Sequence, residues 1–70
     1  MSAEEEQIIK EIEMPDVTGI TLKAAKVILK ELDLEYEIDT DELDAVITNQ
    51  VPKKGIKINT GTKVILYSNL

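Results

Sequence analysis

Cysteine, histidine, arginine, phenylalanine and tryptophan are all missing from this chain. Without cysteine there is no disulfide staple and no thiolate metal site. Without histidine the commonest general base, the pH switch and the usual zinc ligand are gone. The core has to be aliphatic, because Tyr36 and Tyr67 are the only aromatics. Arginine, the side chain best shaped for a two-pronged carboxylate grip, is replaced throughout by lysine. With 70 residues, the chain makes one small domain that buries only about 60% of the surface its unfolded form exposes. So few residues cannot build a core and also enclose a deep cleft, so a stand-alone enzyme is not expected. Ser2 and Ser68 have no histidine to activate them. No cofactor is expected.

Fourteen acids against eight lysines give a net charge of −6. That balance argues against nucleic acid, whose affinity comes mostly from neutralised phosphates, and against anionic membranes. No apolar run approaches the roughly 18 residues of a membrane span, so the chain is not itself membrane-inserted. Residues 1–6, Met-Ser-Ala-Glu-Glu-Glu, are acidic where an export signal is basic and then apolar.

Residues 1–12 read as an acidic linker or N-terminal extension, and 13–70 as a single domain. Ile8 and Ile12 have helical spacing, whereas Ile12 and Met14 alternate, so the linker leads into a short extended piece. Pro15 holds Met14 extended and Gly19 marks a turn. Thr21 is placed to cap a helix over 21–32, whose apolar stripe is Leu22, Ala25, Ile28, Leu29 and Leu32. Lys23, Lys26 and Lys30 occupy a different, solvated face. Leu34, Tyr36 and Ile38 alternate with acids, which predicts a half-buried strand. Residues 46–51 predict a second strand, stopped by Pro52, and 63–67 a third. Gly55 and Gly61 each open a turn-then-strand unit. The expected fold class is α+β: one helix on a three-stranded, mostly antiparallel sheet, in two layers, with a short extended N-terminal segment.

With Val46, Val64 and Leu66 against the helix, alternation sends Ile47, Val51, Ile65 and Tyr67 to the opposite face. That open apolar face needs a cover. Ile8, Ile9 and Ile12 of the N-terminal segment, or a neighbouring domain, are the two candidates. The acidic stretch Asp39, Asp41, Glu42 and Asp44 fails as an EF-hand loop, since Leu43, Asp44 and Gln50 stand where a ligand, a glycine and a glutamate are needed.

Met14-Pro15-Asp16-Val17-Thr18-Gly19, then Leu22, Ala25, Leu29 and Leu34, then Val46, Gln50, Pro52, Gly55, Gly61 and Val64-Ile65-Leu66, together resemble a PASTA domain. The resemblance spans residue 13 to about 68. It implies a non-catalytic, extracytoplasmic module tethered to the membrane through a parent protein, either a penicillin-binding protein or a serine/threonine sensor kinase. It implies binding of peptidoglycan fragments, meaning muropeptides, stem peptides or β-lactams that mimic them. The alternative is a docking module that positions the parent's catalytic domain and meets only that adjacent domain. As an isolated domain it is expected to be a monomer. The candidate contact residues are Lys53, Lys54, Gln50 and Asp16, with the helix lysines or Lys57 as other sources of positive charge. One position departs from the family pattern: Asp33 stands where glycine is usual, at the left-handed residue that closes the helix.

Overall fold

Thr21, in extended conformation, accepts a hydrogen bond from the Ala24 amide through its side-chain oxygen and so caps helix α1, Leu22–Glu31. The helix ends in a Schellman arrangement. The Leu34 amide donates to the Leu29 carbonyl at 2.9 Å and the Asp33 amide to the Lys30 carbonyl at 3.1 Å. Asp33 sits between them at φ 58°, the left-handed conformation expected of it. The computed structural model describes residues 9–70, and the helix is joined there by five strands: β1 Glu11–Glu13, β2 Glu35–Glu37, β3 Ile47–Val51, β4 Lys57–Asn59 and β5 Lys63–Ser68.

The three expected strands form one sheet in the order β2-β5-β3. β3 runs antiparallel to β5 and β2 runs parallel to it. The parallel pair follows from the helix closure: the Asp33 carbonyl takes the Gly61 amide at 2.8 Å and the Thr62 carbonyl takes the Glu35 amide at 3.1 Å. Chain leaving the helix is thereby started alongside the beginning of β5. A second, two-stranded sheet pairs β1 with β4, antiparallel, with Ile12 opposite Ile58. Its β4 is the strand of the Gly55 unit, and β1 is the short extended piece, starting at Glu11, two residues before the expected domain boundary.

The core joins Met14, Val17, Leu22, Ala25, Leu29, Leu34, Ile47, Val64 and Leu66. Ile28 and Leu32 of the helix stripe, with Tyr36, Ile38, Ile12 and Ile58, pack against it half-buried. Two expectations are corrected here. Ile47 faces the core at 1% exposure and Val46 is half-buried, the reverse of the alternation argument. The register between β3 and β5 shifts between Ile47 and Asn49, and the extra residue flips the parity of everything upstream of it. Ile12 does not cover the open sheet face, because its pairing with Ile58 turns it to the core. Ile9 is 62% exposed, and Ile8 lies outside the described residues. Val51 and Tyr67 are on the open face as expected, at 46% and 50% exposure.

Candidate functional site

The turn that carries the candidate residues is organised by Gln50. Its side chain is buried, at 1% exposure, and its amide meets backbone on all three of its bonds. Oε1 accepts from the Val17 amide at 2.7 Å, while Nε2 donates to the carbonyls of Pro15 at 2.8 Å and Pro52 at 3.0 Å. One side chain thus clamps the 15–17 loop to the end of β3. Gln50 is a positioning residue: its polar atoms are spent and it does not reach the surface. The clamp is extended by the Gly55 amide donating to the Met14 carbonyl and the Met14 amide to the Ile56 carbonyl, at 2.9 and 2.8 Å. Gly55 takes φ 84° to make that turn, a conformation any other residue would resist.

Asp16, Lys53 and Lys54 stand on this platform at the surface. Oδ1 of Asp16 accepts from the Thr18 hydroxyl at 2.6 Å and the Thr18 amide at 3.0 Å. Those two bonds, the hydroxyl one first, hold its carboxyl below the ordinary aspartate value of 3.8, with the Lys54 charge assisting against a little desolvation. The other oxygen lies 3.9 Å from Lys54 Nζ, with the two side chains 46% and 74% exposed. An exposed pair at that distance adds little to stability and opens readily. Lys53 Nζ donates to Asn49 Oδ1, which also accepts from the backbone N–H of Gln50 at 2.9 Å. Lys57 falls on β4 opposite Glu13. The structure therefore brings Asp16 and Lys54 together, with Glu13, Met14, Pro15 and Gly55, around an open depression of ≈ 560 Å³. It turns Lys53 toward Asn49 instead.

A second depression, of ≈ 550 Å³, lies between the end of α1 and the start of β2 and is lined by Lys26, Lys30, Asp33, Leu34, Glu35, Tyr36 and Gly61. Tyr36, expected only as a half-buried strand residue, lines this depression. The signal was present in the four-residue spacing of the two lysines and the left-handed Asp33, which folds β2 back beneath them. Among the described residues no cluster of acids is arranged to hold a metal ion, and no helix is long and apolar enough to cross a membrane.

Comparison with protein families decides the identity, since the PASTA domain profile matches residues 12–69. The chain belongs to the PASTA domain family. PASTA domains are non-catalytic modules of larger proteins, penicillin-binding proteins and serine/threonine kinases. They are typically extracellular parts of membrane-associated proteins. No curated protein and no solved structure matches this PASTA domain. In it, the Gln50, Pro52 and Gly55 of the family pattern have architectural roles: clamp, strand end and turn.

Proposed function

We propose that this PASTA domain is an extracytoplasmic module of a cell-wall enzyme or sensor kinase that makes a weak contact with peptidoglycan stem-peptide fragments at the clamped turn. The observation that carries this reading is the open Asp16–Lys54 pair on the rim of a depression that also holds Glu13. Stem peptides carry both carboxylates and ammonium groups. A lysine beside two acids suits such a zwitterion: the ligand carboxylate replaces Asp16 on Lys54, and its ammonium is taken by Asp16 and Glu13. A simple anion would be repelled by those same acids. The contact is exposed, so the affinity is low. Titrating the labelled domain with muropeptide fragments should shift the amides of Asp16, Lys54 and Gly55 together, and Lys54→Ala should abolish those shifts. Absence of any shift at millimolar ligand would refute it.

The docking reading is favoured by a different observation, the path of the backbone. Lys10 is hydrogen-bonded to Thr60, just before β5 begins, and Asn69 to Val46, just after β5 ends. The six residues of β5 separate the two points by roughly 20 Å. A module entered at one end and left at the other acts as a spacer whether or not it binds a ligand. If the titration is silent, that spacer role is the one left standing.

A further inference from the structure

The outer face of α1 has no part in that site. Val27 and Leu43 are large apolar residues exposed at 55% and 44%. They share a shallow, mainly apolar cleft of ≈ 270 Å³ framed by Lys23, Lys26 and Lys30. The cleft is built rather than accidental in position. The Lys23 amide donates to the Leu43 carbonyl at 3.1 Å, the Leu22 amide to the Ala45 carbonyl at 2.7 Å, and the Ala45 amide to the Glu42 carbonyl at 3.0 Å. The turn bearing Leu43 is therefore fastened to the first turn of the helix. Lys26 and Lys30 are shared with the adjoining depression that leads to Leu34, Tyr36 and Gly61. None of the three lysines has a carboxylate within ion-pair distance among the described residues, where the ion pairs are Lys54–Asp16 and Lys63–Glu37. In a chain whose acids outnumber its lysines 14 to 8, three lysines outside any of these ion pairs, around two exposed aliphatic side chains, form a surface complementary to the opposite pattern.

We infer that this face docks an acidic protein segment carrying one bulky aliphatic residue. The aliphatic side chain lies between Val27 and Leu43, where burial of apolar surface supplies the affinity. Its flanking carboxylates meet Lys26 and Lys30, whose charges supply orientation and rate of encounter. Asp41, Glu42 and Asp44 beside Leu43 decide against two other partners. They and the net charge of −6 oppose an anionic bilayer or a nucleic acid, both of which spread negative charge over the whole contact. A short segment can keep its carboxylates over the helix and away from that loop. The docking face shares no residue with the Asp16–Lys54 depression, so either reading can fail alone.

The test is a titration of the full labelled chain with the peptide acetyl-Glu-Leu-Glu-Glu-amide, followed through backbone amide shifts. Expected are shifts confined to residues 23–30 and 42–44, with affinity falling about tenfold when the peptide leucine is changed to alanine. Lys26→Glu combined with Lys30→Glu should remove binding while circular dichroism shows the fold kept. Val27→Ala should weaken the leucine peptide and leave glutarate, a bare diacid, unaffected. Silence at millimolar peptide overturns the proposal. So does equal binding of the leucine and alanine peptides, which would mean a plain anion patch. Binding of phosphatidylglycerol vesicles that the peptide does not displace would identify a membrane surface and overturn it too.

Discussion

Leu29 in α1 and Gln50 in β3 are equally inaccessible, at 0% and 1% exposure, but they are held in different ways. Leu29 is kept by shape, within the aliphatic core cluster, and another apolar side chain of similar volume can take its place. Gln50 is kept by direction, through three hydrogen bonds to backbone groups of two separate loops. The difference teaches which half of this small domain tolerates change. Apolar packing is degenerate, whereas a buried amide that satisfies three backbone groups admits no substitute.

Conservative replacements should break the symmetry between the two. Gln50→Leu keeps the volume and leaves the Val17 amide and the Pro15 and Pro52 carbonyls without partners. A loss of about 3–5 kcal/mol is expected, close to the whole stability of a domain this size. Leu29→Met should cost less than about 1.5 kcal/mol, and Leu29→Ala about 2–4 kcal/mol through the cavity it leaves. Urea unfolding of the three variants checks the comparison. It fails if Gln50→Leu is no worse than Leu29→Met.

The same contrast explains what could be read from the sequence. The helix, its cap at Thr21, its stripe, and the positive φ of Gly55 and Gly61 were legible, because each is written in side-chain periodicity or in a residue's own backbone freedom. The strands of the main sheet were legible as segments but not as partners: nothing in Glu35-Tyr36-Glu37 says that β2 runs parallel to β5. That depends on where the Schellman turn delivers the chain. The irregularity between Ile47 and Asn49 leaves no mark either, so Val46 and Ile47 were assigned to the wrong faces. In the candidate site, Asp16 and its turn were legible from Pro15 and Gly19. Gln50 was legible as a polar residue of the turn and expected as a contact residue, but its burial and its three backbone partners were not, since backbone carbonyls look alike at every position. The pairing of Lys54 with Asp16 and of Lys53 with Asn49 is set by long-range contacts no local pattern encodes.

A smaller effect of opposite sign sharpens the helix side of the comparison. Asp33 occupies the left-handed position of the Schellman turn at φ 58°, which glycine adopts without a steric penalty. Its carbonyl bond to the Gly61 amide is backbone and survives substitution. Asp33→Gly should therefore raise stability by about 0.5–1 kcal/mol. A urea midpoint that is unchanged or lower would show that the Asp33 side chain does something favourable its conformation does not reveal.

The smallest expected effect lies at the clamped turn and depends on pH. Thr18 holds the Asp16 carboxyl below 3.8 through two hydrogen bonds, with Lys54 adding its charge. A carboxyl whose folded pKa is depressed stabilises the fold above its unfolded pKa, and that contribution fades as pH falls through the folded value. The stability gap between the parent and Asp16→Asn should then be constant near neutrality and close only below about pH 4. Thr18→Val removes the first of the causes, so it should move the Asp16 titration, followed by carboxyl carbon shifts, up toward 3.8. A midpoint that ignores Thr18→Val would leave the depression to the Thr18 amide bond and to Lys54, and Lys54→Ala would tell those two apart. If the Thr18 bonds dominate, Asp16 stays ionised when a ligand carboxylate draws Lys54 away. The acid half of a zwitterion grip is then independent of the basic half, which is what a site built from a single loose ion pair requires.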